Sequence, residues 1–136
     1  MVVAVGPAAA EIVYVPTEEV LTEAARTGGR SFDAPDADYR HQPTPGGGQW
    51  CTFETLIAAH DLGHDAALAR LARIVHAADI ATDLDTDPLG AGLLAIGLGN
   101  LDVETDDQHL LERALFVYDA LYAWCIQQVA ATPVPA

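Results

Sequence analysis

The fold is decided by residues 65–79, which read DAALARLARIVHAAD. The larger apolar side chains recur every three or four positions and form a single stripe, at Leu68, Leu71, Val75 and Ala78. Asp65 stands where an N-terminal cap is favoured, and Arg70 and Arg73 fall away from the stripe, where we expect them to point into solvent. This pattern predicts an amphipathic helix with one face in the core.

The segments around this helix predict a mainly helical α+β domain with five helices and a small N-terminal strand element. The β-branched residues 11–15 indicate the strand, which Pro16 ends. The other four helices are predicted from Thr17, as an N-cap, to about Arg26, from Cys51 to about Gly63, across residues 89–101, and from a capping box that starts at Thr105 to about Val129. We expect a single domain over residues 1–130 and a flexible tail at residues 131–136, which contains two prolines.

Two motifs in the second half fail on inspection. Residues 83–87, DLDTD, open like a calcium loop, but Pro88 stands where glycine is needed and Leu94 where a glutamate is needed. The glycines of residues 90–99 do not complete a dinucleotide-binding fingerprint. We interpret those glycines as small residues that allow close helix packing.

The charge excludes some partners. The chain has 20 acidic residues, six basic ones and a formal net charge of -14. Such a surface repels phosphate, so we expect no direct binding of nucleic acid by this domain, and it repels a dianion such as chromate. The same field attracts cations. The alternative interpretation is that the acidic surface only keeps the protein soluble.

The sequence predicts a cytoplasmic protein. Cys51 and Cys125 are far apart and follow no metal-binding or redox spacing, which favours reduced thiols. The apolar start of the chain lacks a basic region and is cut short by Gly6 and Pro7, so it is a poor signal peptide. No run approaches the roughly 18 apolar residues that a membrane span needs.

His76 and Asp79 are the clearest candidates for chemistry. They lie three positions apart on the predicted helix and therefore share a face at the edge of the apolar stripe. We expect Asp79 to be half-buried, and such a carboxylate needs a partner. Neutral imidazole with carboxylate is a common ligand set for Zn²⁺, Mn²⁺ or Fe²⁺. The alternatives are a His76–Asp79 ion pair or an aspartate that caps the next turn.

Glu54 and His41 are weaker candidates. Glu54 lies beside Phe53, but a glutamate near a helix start often bonds back to the cap residue. His41 precedes a glycine-rich loop, where a histidine is usually exposed. His60 is predicted to be a core residue and His109 to be exposed. His60 and His64 are four positions apart and could form a ligand pair, but Gly63 is predicted to end the helix between them.

Six segments, in this order, resemble the C-terminal domain of the ChrB chromate-resistance proteins over about residues 11–127. They are residues 14–16, 32–41, 51–54, 71–79, 90–93 and 118–125. The resemblance implies that His41, Glu54, His76 and Asp79 form a metal site together, because the family recurrently carries the same polar types there. Relatives begin with a basic segment that the apolar residues 1–10 replace here, so the start is expected to be truncated or the site altered.

The resemblance implies a metal-binding accessory or sensor domain in chromate resistance. A metal-dependent enzyme with His76 or Glu54 as general base is the first alternative, and a non-catalytic dimerisation module without metal is the second. We expect the isolated domain not to bind chromate tightly, because its field opposes a dianion and its arginines lie apart in the sequence.

The last helix predicts a homodimer. Its apolar arc is wider than one neighbour requires, and includes Leu110, Leu111, Ala114, Val117, Tyr118, Leu121, Tyr122 and Cys125. Phe116 and Trp124 lie at or beyond the margin of the arc. They should be exposed in a single copy if the helix forms an interface, and buried if the helix is central in a monomer.

Overall fold

The computed structural model describes the backbone of residues 2–5 and 10–132 and the side chains of residues 11–132. Within these ranges the chain forms five α-helices, two 3-10 helices and a few short strands. The predicted mainly helical α+β class with five helices is confirmed. The predicted tail begins one residue inside the last helix, and its residues 133–136 lie outside the described part of the chain.

The chain divides into two compact units, Met1–Leu56 and Ile57–Ala136. The prediction of a single domain over residues 1–130 stays a prediction, because a division by contacts does not test whether either unit folds alone.

The first unit contains the strands. Its elements are β1 (Val2–Val5), β2 (Ala10–Val13), a 3-10 helix (Thr17–Glu19), α1 (Val20–Thr27), β3 (Arg30–Ser31), β4 (Gln42–Pro43), β5 (Gln49–Trp50) and the start of α2 (Thr52–Ala59). One antiparallel sheet has the strand order β2-β1-β3, and β4 pairs with β5 in a small hairpin. The sequence predicted β2, but neither its partner β1 nor the hairpin.

α1 closes the first unit over a small core. Gly28, at φ 69°, ends the helix in the left-handed conformation that glycine adopts without strain. Val20 is 1% exposed and packs with Ala34 and Ala37 in this core. Thr17 was a candidate cap, but it lies in the preceding 3-10 helix and makes no capping bond through its side chain.

The second unit is built on α3 (Ala66–Asp79), which confirms the helix predicted from residues 65–79. A 3-10 helix (Ala81–Thr86), α4 (Gly90–Val103) and α5 (Asp107–Ala131) follow. α4 and α5 both pack on α3 and touch each other little. No helix in the described part of the chain is long and apolar enough to cross a membrane.

Close packing of α4 on α3 depends on one glycine. A Cβ atom at Gly90 would lie 2.7 Å from the Cβ of Ala77, so only glycine fits at this crossing. A Cβ at Gly92, Gly97 or Gly99 would meet nothing within 4 Å. The prediction that these glycines allow close packing is therefore right at Gly90 and wrong at the other three.

The outer sides of α4 and α5 are unusually apolar. Phe116 is 82% exposed and Trp124 is 37% exposed. Leu94, Ile96, Leu98, Leu101 and Val103 of α4 and Leu115, Tyr118, Ile126 and Val129 of α5 are also exposed. In α4, only Gly90 and Leu93 are buried.

Candidate functional site

The N-terminus of α3 is held by a cap and by α5. The Asp65 carboxylate accepts hydrogen bonds from the backbone N–H groups of Ala67 and Leu68, at 2.8 and 3.0 Å. Tyr122 of α5 donates its hydroxyl to the same carboxylate at 2.9 Å. The backbone bond from Leu68, with the bond from Tyr122, lowers the pKa of Asp65. The predicted cap is confirmed.

His76 in the last turn of α3 is paired with a carboxylate of the next element. Its Nε2 atom lies 2.7 Å from Oδ2 of Asp83, in the 3-10 helix. The hydrogen bond from His76 lowers the pKa of Asp83. Because a carboxylate oxygen accepts, Nε2 carries the proton, and a neutral ring then has its lone pair on Nδ1.

Asp79 lies one turn beyond His76 on α3, at the mouth of a recess of about 410 Å³. The other lining residues are apolar side chains of α3 and α4, together with Tyr118. Asp79 is exposed, so the prediction of a half-buried carboxylate is wrong. It is the last residue of α3, and helical periodicity does not indicate where a helix ends.

Arg70 does not point into solvent as predicted. Its guanidinium forms a bidentate ion pair with the buried Asp87 carboxylate, with Nη2 3.3 Å from Oδ1. Asp87 Oδ1 also accepts from the N–H of Leu89 at 3.0 Å, just before α4 begins. Arg70 Cζ lies 5.8 Å from the centre of a Trp124 ring. Arg73 is exposed, as predicted.

His41 belongs to the first unit and lines a recess of about 300 Å³ with Asp33, Pro35 and Arg40. Its Nε2 atom lies 3.8 Å from Oδ1 of Asp33, and its side chain is 31% exposed. Asp33 Oδ1 also accepts from the Thr52 hydroxyl at 3.1 Å, at the start of α2. His41 is therefore a half-buried residue beside a carboxylate and not a fully exposed loop histidine.

Glu54 forms a hydrogen bond near the start of its own helix, which was the alternative to metal binding. Its Oε2 atom accepts from the backbone N–H of Cys51 at 2.9 Å. Cys51 itself is buried, and burial raises the pKa of its thiol to about 11. The thiol is therefore protonated at neutral pH and is a poor metal ligand or nucleophile. Cys125 is likewise a buried free thiol.

The four predicted metal ligands are distributed between the two units. His41 and Glu54 belong to the first unit, and His76 and Asp79 lie three positions apart on α3 in the second. Among the described residues within each unit, no group of three or more histidine, cysteine, aspartate or glutamate side chains is arranged to hold a metal ion. The four-ligand set stays a prediction.

The other three histidines are exposed. His60 follows the end of α2 and is exposed, so its predicted place in the core is wrong. The reason is that α2 ends at Ala59, before the periodicity that included His60 is complete. His64 is exposed and its Nδ1 lies 2.8 Å from the carbonyl oxygen of Asp61. His109 is exposed beside Glu104 and Asp106.

The sequence analysis did not identify the two carboxylates that bind Arg70 and His76 of α3. Asp83 and Asp87 were considered only as parts of a failed calcium loop. Their partners on α3 lie seven and 17 positions earlier. Residues 83–87 contain aspartates at alternate positions, directly after a helix that carries Arg70 and His76. This pattern could have suggested ion pairs, but spacing alone does not indicate which aspartate meets Arg70 and which meets His76.

A family model covers the residues of all six segments. The model of the ChrB C-terminal domain matches residues 5–125 of the 136-residue chain. The chain belongs to the ChrB C-terminal domain family. The ChrB match begins slightly before the resemblance found in the sequence and includes all four predicted ligands. Neither curated proteins nor solved structures match the chain.

Proposed function

We propose that this ChrB-type domain is a cytoplasmic, metal-binding accessory or sensor domain in chromate resistance. The observation that supports the proposal best is the contact between His76 and Asp83 at 2.7 Å. Histidines that bind metals generally donate their other ring N–H to a carboxylate or carbonyl, which fixes the tautomer and makes the ligand more basic. Asp83 provides that partner here.

By residue type, the four predicted ligands would suit a divalent ion with nitrogen and oxygen ligands. His76 would bind through Nδ1, and Asp79 on the same face of α3 would add a carboxylate oxygen. His41 and Glu54 would complete the set. Glu54 caps Cys51 through one oxygen, and a carboxylate has lone pairs for a second partner. Such a set suits Zn²⁺, Mn²⁺ or Fe²⁺. The net charge of -14 favours any cation.

Metal analysis of the chain, purified without a chelator, tests the proposal. We expect bound metal close to one equivalent, and a melting temperature that rises with the matching ion. The stabilisation should be about 3–4 kcal/mol at a hundred to a thousand times the dissociation constant. The substitution His76→Gln should abolish this response.

His64→Gln is the matched control, because His64 is an exposed histidine that bonds only a local carbonyl among the contacts described. Its response to metal should equal that of the wild type. A chain that purifies without metal and whose melting temperature ignores all three ions contradicts the proposal.

A second candidate function is dimerisation, and the observation that favours it is the exposure of Phe116. An aromatic side chain that is 82% exposed costs free energy in water, and a partner surface would remove that cost. We propose that two copies associate through a surface that includes α5. Sedimentation equilibrium at micromolar concentration tests this, since a single species of one chain mass at all concentrations contradicts it.

A further inference from the structure

A recess of about 340 Å³ lies between α3 and the end of α5 in the second unit. Its lining residues are Arg70 and Arg73 of α3 and, at the end of α5, Trp124, Gln128, Val129 and Thr132. Two of the chain's six basic residues therefore meet in one recess, and none of the described residues that line it is acidic. In a chain with 20 acidic residues, this recess is a local exception to the field that repels anions.

The two arginines of the recess differ in their partners. The charge of Arg70 is compensated by the buried Asp87, which holds its guanidinium in place. Arg73 is exposed, and none of the described residues forms an ion pair with it. The recess therefore has one uncompensated positive charge, that of Arg73. One such charge suits a monoanion, because a dianion bound there would keep a negative charge within a strongly acidic protein.

Trp124 gives the recess a flat apolar surface. Its side chain is partly exposed, and Arg70 Cζ lies 5.8 Å from the centre of a Trp124 ring. Because Asp87 fixes Arg70, the contact between guanidinium and indole also restrains the indole. Planar apolar groups pack favourably against an aromatic ring, and a restrained ring loses little side-chain entropy when a ligand binds.

The end of α5 opposes an anion less than the end of a helix usually does. The last carbonyl groups of a helix carry partial negative charge. Here Thr132 donates its hydroxyl to the Gln128 carbonyl oxygen at 3.0 Å and its N–H to the Val129 carbonyl oxygen at 3.3 Å. Two carbonyl groups of residues that line the recess are therefore already hydrogen-bonded.

We propose that this recess binds a small aromatic carboxylate. Arg73 binds the carboxylate group, the side-chain amide of Gln128 is a second donor, and Trp124 packs against the aromatic ring. An inorganic oxyanion uses the donors but not the ring of Trp124, so it binds more weakly. This site is separate from the proposed metal ligands, and it gives the domain a second kind of ligand.

An NMR titration of the full chain with sodium benzoate tests the proposal. The chain has two tryptophans, whose indole N–H signals are assigned with the variant Trp50→Phe. We expect the Trp124 signal to shift and to saturate at millimolar benzoate. Trp50 is an exposed tryptophan of the first unit, and its signal is the internal control that should not shift. Benzamide, which has the same shape without the charge, should bind at least about tenfold more weakly.

Two substitutions of exposed arginines identify the group that binds the carboxylate. Arg73→Gln should weaken benzoate binding at least about tenfold, because it removes a charge-assisted hydrogen bond. Arg113→Gln is the matched control, since Arg113 is an exposed arginine of α5 that does not line the recess and the change in net charge is the same. Its affinity should stay close to that of the wild type. Both variants should fold, because both side chains are exposed.

Every other result counts against the proposal. A Trp124 signal that does not respond to benzoate, or that shifts together with the Trp50 signal, overturns it. Equal weakening in both arginine variants overturns the assignment of the carboxylate to Arg73. Equal affinity for benzamide overturns the charged contact. Inorganic sulfate that competes with benzoate at equal concentration overturns the requirement for an aromatic ring.

Discussion

Arg70 and the buried Asp87 form a bidentate ion pair that connects α3 to the turn just before α4. Asp87 is 7% exposed, and its remaining bond goes to the N–H of Leu89. The Asp87 carboxylate therefore bonds to both α3 and the start of α4. Substitution of Arg70 should measure how much this carboxylate contributes to stability.

We expect Arg70→Met to destabilise the second unit by about 3 kcal/mol, because it leaves a buried carboxylate without its counter-charge. Arg73→Met is the control, since Arg73 is exposed and the change should stay within about 0.5 kcal/mol. Urea unfolding at neutral pH measures both. Equal effects of the two substitutions would show that the pair contributes nothing specific.

The same pair predicts a pH dependence. Burial acts to raise the pKa of Asp87, but the hydrogen bonds from Arg70 and Leu89 outweigh it, so the pKa lies below its ordinary value of 3.8. A lowered folded-state pKa stabilises the fold above the unfolded value, and this stability is lost as the pH falls through the folded value. The difference between wild type and Arg70→Met should therefore be largest at neutral pH and shrink as the pH falls through and below 3.8. A constant difference would contradict this.

Gly90 should tolerate no side chain. In Gly90→Ala the new Cβ would lie 2.7 Å from Ala77 Cβ and 3.1 Å from its carbonyl carbon, so α4 must shift. We expect a loss of about 1–3 kcal/mol. Gly97→Ala, on the same helix with open space, should gain up to about 1 kcal/mol from helix propensity. Thermal unfolding should show a lower melting temperature for Gly90→Ala and an equal or higher one for Gly97→Ala.

We expect no tight binding of chromate by the isolated domain. Within their own units, Arg26, Arg30 and Arg70 are each paired with a carboxylate, and the net charge of -14 repels a dianion. Isothermal titration of the metal-free domain should give no binding heat at micromolar concentrations. A micromolar dissociation constant would show that an anion site exists despite the field.

The helices of the second unit were predictable because their apolar spacing and caps are local. The pattern of residues 65–79 predicted α3 and its Asp65 cap, and both are present. The start of α5 differs by one residue: Asp106, not Thr105, accepts the capping bond from His109 N–H at 3.0 Å. Both residue types cap well, so local chemistry alone does not choose between them.

The surroundings of the candidate ligands were less predictable, because they depend on contacts that periodicity does not encode. A helical wheel places His76 and Asp79 on one face, but it does not reveal that His76 meets Asp83 of the next element. It also placed Arg70 in solvent, since the buried Asp87 lies 17 positions later. Exposure of Asp79 follows from the end of α3, and helix ends are the least certain part of a sequence prediction.

The bond from Tyr122 to Asp65 joins residues 57 positions apart. A ribosome adds about 5–20 residues per second, so Asp65 is made roughly 3–11 seconds before Tyr122, the residue that completes the N-terminal bonds of α3. Throughout that interval α5 is incomplete, so α3 lacks one of the two helices that later pack on it. During synthesis, α3 is therefore the segment of the second unit that we expect nascent-chain chaperones to bind longest.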